Sequence, residues 1–196
     1  MIGHDRMRRY DHSVDLTPNG TASRILEAAL RTLARQGANN FSMAGIGREA
    51  GISRRTLYRY FHSSDEVLQA VAVHVGTSYV RAIDAAIAKD PDLDKRIETV
   101  LLATVHYGDY HPAAVAVFRM EPGFTLGYLE STLPHYIEVV RKAIEPVVEQ
   151  IPAVSSGAVT DAEVAEIIIR LGISGFSIQS PGTEAVSRVF AQLVRG

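Results

Sequence analysis

The stretch Ser42–Phe61, SMAGIGREAGISRRTLYRYF, decides how this chain is read. It holds two short segments of helical periodicity, each preceded by a serine and separated by Gly51. A serine hydroxyl at a helix N-terminus accepts one of the free amides of the first turn. Ser42 and Ser53 therefore start two helices, about 43–50 and 54–61, and Gly51 supplies the tight turn between them. Leu57 and Phe61 lie four apart, so they share one helix face and point inward with Ile46 and Ile52. Arg54, Arg55, Thr56, Tyr58, Arg59 and Tyr60 are left on the open side and its flanks. Two helices joined in this way describe a helix-turn-helix, whose second helix enters the DNA major groove. Arginine offers paired donors to guanine O6 and N7, and a threonine methyl meets the thymine methyl. Ser42, Ser53 and the tyrosine hydroxyls suit phosphate oxygens, and His62 sits where the DNA backbone would pass. A merely solvated arginine-rich face is the plainer alternative, but it leaves the caps, turn and anchors unexplained.

Upstream, Thr21 or Ser23 is placed to cap a helix carrying Ile25, Leu26, Ala29, Leu30 and Leu33, which stops at Gly37. Downstream, Ser63 or Ser64 caps a fourth helix, with Asp65 and Glu66 in the first turn where the dipole favours negative charge. That helix is long: Val67, Val71, Val75, Tyr79, Ile83 and Ile87 recur on one face until Lys89-Asp90-Pro91. Further helices are expected near 93–110, 112–120, 125–150, 161–179 and 183–194, with a loop over 152–160. Pro134 and Pro146 should kink or divide the third of these. No segment alternates with period two. The expected fold class is all-α: a basic arm over 1–20, a three-helix domain over 21–64, and a larger helical domain over 65–196.

Charge supports this division. Residues 1–62 hold ten arginines and five carboxylates, whereas residues 63–196 hold ten basic and seventeen acidic side chains. A polyanion-facing end joined to an acidic domain fits that asymmetry. Arg6, Arg8 and Arg9 of the arm are placed to reach the DNA backbone or minor groove. Cysteine is absent, which excludes disulfides and thiolate metal sites and fits a reducing cytoplasm. No apolar run reaches membrane-spanning length, and no secretory signal is expected. The motifs of hydrolase, phosphate-loop and dinucleotide enzymes are missing, so no enzyme and no cofactor are expected. His106 and His111 are five apart, a poor spacing for one helix face, so no metal site is expected either.

The run Phe41–Leu68, FSMAGIGREAGISRRTLYRYFHSSDEVL, resembles the N-terminal signature of TetR-type transcriptional regulators. The likeness rests on the apolar residue before the capping hydroxyl, Ile46 with the Glu49-to-Ser53 block, Leu57-Tyr58-x-Tyr60-Phe61, and the acidic start of the fourth helix. Two residues depart from it: Gly47 replaces the usual alanine, and Ser64 stands where a phosphate-gripping lysine is common. The resemblance implies a cytoplasmic homodimer on a palindromic double-stranded DNA operator, acting as a repressor released by a small, largely hydrophobic effector. It also implies that the domain after about residue 65 binds ligand and dimerises. The segment Val164–Ile178 is apolar nearly all round and so is buried on two sides. Ile168, Gly172, Gly175, Val186 and Phe190 are accordingly expected between two copies. Tyr107, Tyr110, Phe118, Arg119, Phe124, Tyr128 and Phe176 are expected around a ligand pocket.

Overall fold

The computed structural model describes residues 20–177, together with 185, 188–190 and 192. The chain opens with α1 (Thr21–Gln36), α2 (Met43–Ala50) and α3 (Arg54–Tyr60). Ser42 Oγ accepts the Gly45 amide at 3.3 Å, and Ser53 Oγ accepts the Thr56 amide at 3.1 Å. Gly51 sits between the helices at φ 65°, in the left-handed region that glycine enters without strain. Ile25, Leu26, Ile46, Leu57, Phe61 and Val67 are completely buried together. The N-terminal cap of α1 differs from expectation: Gly20 occupies the position, and neither Thr21 nor Ser23 caps the helix.

Gly47 is a packing position rather than a hinge. A Cβ added there would lie 3.6 Å from the Ile52 carbonyl oxygen and 3.8 Å from Leu57 Cδ2, both ordinary contacts. Gly47→Ala removes glycine's backbone freedom in the unfolded chain and adds a methyl that makes ordinary contacts. It should stabilise the protein by about 0.5–1 kcal/mol, read as a higher thermal midpoint. A lowered midpoint would show that α2 cannot accept the methyl.

Ser63, not Ser64, caps α4 (Ser64–Lys89): its hydroxyl accepts the Glu66 amide at 3.1 Å, while Glu66 Oε2 accepts the His62 amide at 2.6 Å. This reciprocal arrangement is close to a capping box and locks α3 to α4. Val67, Val71, Tyr79 and Ile83 are buried along α4, as their spacing requires. The rest of the described chain forms α5 (Arg96–Val105), α6 (Tyr107–Tyr110), α7 (Pro112–Met120), α8 (Pro122–Val148), α9 (Pro152–Ser155) and α10 (Asp161–Ser177). A second core joins Tyr79, Ile83, Val100, Leu101, Val140 and Ile144 with Ile168 and Ile169 of α10.

Three expectations are corrected. The helix expected over 93–110 is divided into a 3-10 turn at Leu93–Lys95, α5 and α6, because the chain leaves helical geometry at His106 (ψ 3°) and turns the Tyr107 side chain in toward α4. Of the two outcomes expected for the prolines, division does not occur: α8 runs as one helix through Pro134 and Pro146. Both prolines, and the residues four before them (Glu130 and Lys142), are exposed, so water can serve the carbonyls that lose a partner. The loop expected over 152–160 contains the single turn of α9. The helix expected over 183–194 lies mostly outside the described residues, as does the arm.

The two cores meet through α4, which places Val67 and Val71 in the first and Tyr79 and Ile83 in the second, while α1 packs against both α4 and α7. Glu121, between α7 and α8, accepts the Ala38 amide at 2.7 Å, just after α1 ends at Gly37.

Candidate nucleic-acid interface and internal cavities

On α3, Ser53, Arg54, Arg55, Tyr58 and Arg59 are exposed, as are Ser42 and His62 beside it. Thr56 and Tyr60 are half-buried. The surface is set by its caps: Thr56 Oγ1 lies 2.9 Å from Ser53 Oγ, which ties the threonine hydroxyl to the capping serine. The Arg59 guanidinium stacks 5.1 Å from the Tyr60 ring centre and donates to the Tyr60 hydroxyl at 3.4 Å. A hydrogen bond with Thr21, reinforced by Arg59, holds the Tyr60 hydroxyl below the usual phenol range. Tyr60 thus anchors the end of α3 to the start of α1.

Not every arginine of this half is available to a polyanion. Arg31 Nε and Arg35 Nη1 of α1 pair with the two oxygens of Glu49 on α2, at 2.8 and 3.0 Å. The hydrogen bond from Arg31 holds the Glu49 carboxyl below its ordinary range. These two cations brace α2 against α1.

Behind this domain lies an apolar cavity of about 110 Å³. Leu30 and Leu33 of α1, Val71 and Val75 of α4, and Phe118 of α7 line it, with Tyr107, His111 and Tyr128 as polar-tipped walls. Burial pushes His111 down, which favours its neutral ring, and pushes the Tyr107 and Tyr128 hydroxyls up. Both tyrosines are fastened to α4: the Tyr107 hydroxyl donates to the Val75 carbonyl at 2.8 Å and the Tyr128 hydroxyl to the Ala72 carbonyl at 2.9 Å. Tyr79 lies edge-on to both Tyr107 and Tyr136, with ring centres 5.3 and 5.4 Å away.

The structure brings Tyr107, Phe118 and Tyr128 of the expected pocket residues together. Arg119 is exposed and is not part of that wall, because it lies on the solvent side of α7. The side chains of Tyr110, Phe124 and Phe176 lie outside the described residues. Ile168 and Gly172, expected between two copies, face their own core instead. Ile168 is completely buried, and a Cβ at Gly172 would lie 2.5 Å from Thr104 Cγ2. Gly175 and Phe190 are half-buried, Ile167 carries the exposed apolar surface of α10, and Val186 lies outside the described residues.

One pair was not singled out from the sequence. His74 of α4 is buried, and its Nε2 lies 2.8 Å from Glu27 Oε1 on α1. The signal was available: His74 follows Val71 by three, on the inward face, and a buried polar ring there requires a partner. The bond with His74 holds the Glu27 carboxyl below its ordinary value. A carboxyl with a depressed folded pKa adds stability above its unfolded pKa, and that stability is lost as pH falls through the folded value. Urea midpoints of the native chain should therefore fall more steeply than those of Glu27→Gln as pH drops below the ordinary carboxylate range. Parallel curves would remove Glu27 from the acid response.

Residues 25–71 match the family described as "Bacterial regulatory proteins, tetR family". An HTH-type transcriptional regulator of Haemophilus influenzae is 35% identical over 63 residues, which is 32% of this chain and 34% of that protein. The match thus spans about a third of that relative's own length. The regulator YvdT of Bacillus subtilis is 24% identical over 152 residues, covering 76% of this chain and 72% of YvdT. A TetR-like transcriptional regulator from Rhodococcus sp. RHA1 shares the fold at 22% identity and a TM-score of 0.58, over 89% of this chain and 93% of that one. These relatives are named as transcriptional regulators, not enzymes. The matched residues hold the capped helix-turn-helix, so the N-terminal part of the chain carries the DNA-binding region of the tetR family of bacterial regulatory proteins, with an all-helical domain behind it.

Proposed function

We propose that the protein is a cytoplasmic repressor that binds a palindromic operator as a homodimer and lets go when a small, largely hydrophobic effector enters its helical domain. The observation that carries this reading is the exposed Arg54, Arg55, Tyr58 and Arg59 surface, backed by completely buried Leu57 and Phe61. Ser42, Ser53, Thr56, Tyr60 and His62 complete the proposed DNA contacts. A two-fold pair of such helices would address half-sites about 34 Å apart.

Release requires that the effector bind the non-DNA conformation more tightly than the DNA-bound one. The apolar cavity supports such coupling because α1 and α4, the helices that carry the helix-turn-helix, form part of its wall. Selection of operators from random duplex DNA at fixed salt, beside size determination in solution, tests the proposal. A selected palindrome and a dimeric mass are expected; a monomer, or equal affinity for every sequence, would overturn it.

A further inference from the structure

Tyr128 borders three spaces at once. On one side is the 110 Å³ apolar cavity beneath α1, and on another a 90 Å³ apolar space reaching Ile169 and Ile173 of α10. On the third is a larger groove of about 530 Å³ between α4 and α8. The groove carries more polar side chains along its walls than the two smaller spaces. Its walls include Gln69, Thr77 and Arg81 of α4 and Thr132 and His135 of α8, with no carboxylate among the described residues.

The barrier between groove and cavity is built around hydroxyls. Tyr128 donates to the Ala72 carbonyl, and the Tyr136 hydroxyl lies within hydrogen-bond reach of the Tyr128 oxygen. Burial pushes both phenols up, so they stay neutral. Gly76 allows this approach: a Cβ there would stand 2.8 Å from the Tyr136 hydroxyl. Rotation of the Tyr128 ring would join the groove that bears Arg81 and His135 to an apolar interior and break a bond to α4.

We propose that the effector is a single-tailed anionic amphiphile. Its head lies in the α4–α8 groove against Arg81 and His135, and its tail passes Tyr128 into the apolar cavity. The proposal rests on the effector-released reading above and adds the ligand's class, its orientation and the gate. A cationic amphiphile meets Arg81 at the mouth, and a fully polar anion leaves the cavity unfilled. Entry of the tail displaces the Tyr128 hydroxyl from Ala72 and so acts on the helix that follows α3 directly.

The test measures binding of decanoate, decyl phosphate, decanol, decyltrimethylammonium and acetate to the full chain by calorimetry, below micelle-forming concentrations. The same compounds are added to the complex with the selected operator. Decanoate or decyl phosphate should bind at least ten-fold more tightly than decanol or the ammonium compound, and their ranking separates a carboxylate from a phosphate head. Arg81→Ala should weaken the anionic ligands ten-fold or more and leave decanol unchanged. Tyr128→Phe should alter the affinity of every tailed ligand alike, because it removes the bond that the tail must break. Equal binding of decanol and decanoate, or indifference of decanoate to Arg81→Ala, would overturn the head site. Indifference of all ligands to Tyr128→Phe would overturn the gate. If no tailed compound binds while an operator is still selected, the amphiphile falls and the regulator stands. If decanoate binds but leaves the operator complex intact, release falls and the ligand class stands.

Discussion

Phe61→Ala is expected to lower the stability of the N-terminal domain by about 3–5 kcal/mol, the range for deleting a large buried ring. Phe61 closes α3, is completely buried, and packs in one cluster with Ile25, Leu26, Leu57 and Val67. It therefore joins α1, α3 and α4, and a cavity left there has walls from three helices that cannot all collapse into it. Its own amide completes the turn by donating to the Leu57 carbonyl at 3.0 Å, which the substitution leaves intact. The loss should thus appear as lowered urea and thermal midpoints rather than as a missing helix. Phe61→Leu, which retains most of the apolar volume, should lose much less. A loss below about 1 kcal/mol for the alanine variant would mean that the site refills and that Phe61 is not the anchor of α3.

The N-terminal domain could be read from sequence because its determinants act locally. The hydroxyls of Ser42 and Ser53 each reach an amide three residues on, Gly51 needs only its own φ, and the Leu57–Phe61 pair spans one turn. The capping rule left a choice of Ser63 or Ser64, and the Glu66 amide decides it. The second half is organised by bonds across long stretches of chain. Tyr128 reaches Ala72 over 56 residues, Glu27 meets His74 over 47, and Glu121 meets the Ala38 amide over 83. No periodicity encodes such partners.

The misplacements have the same origin. A helix that is apolar nearly all round must be covered, but its sequence does not say which side its own chain covers. Ile168 and Gly172 lie against α5 and the central core, leaving Ile167 outward. Arg119 carries the right chemistry for a ligand acid, yet its position on α7 faces water while Phe118 beside it turns in. The prolines of α8 divide a helix only where water cannot reach the carbonyls they leave without a partner, and both are exposed.

Arg55→Ala should weaken binding to the selected operator by about 1–3 kcal/mol, roughly 5- to 150-fold, and relax preference at one base pair. The proposal behind this is that Arg55 reads a guanine edge from the first turn of α3. Its side chain is exposed, whereas the nearby Arg31 and Arg35 are held by Glu49. Anisotropy titrations against the operator and its single-base variants, at one salt concentration and then across a series, separate the possible roles. A base-reading arginine loses discrimination at its own position and keeps it elsewhere. A phosphate-binding arginine loses affinity equally on every sequence, and the salt slope falls by about one. Arg35→Ala is the control: it removes a cation of the same domain that is already paired, so sequence preference should not change. If Arg55→Ala and Arg35→Ala behave alike, charge alone binds the DNA and α3 does not read it through this residue.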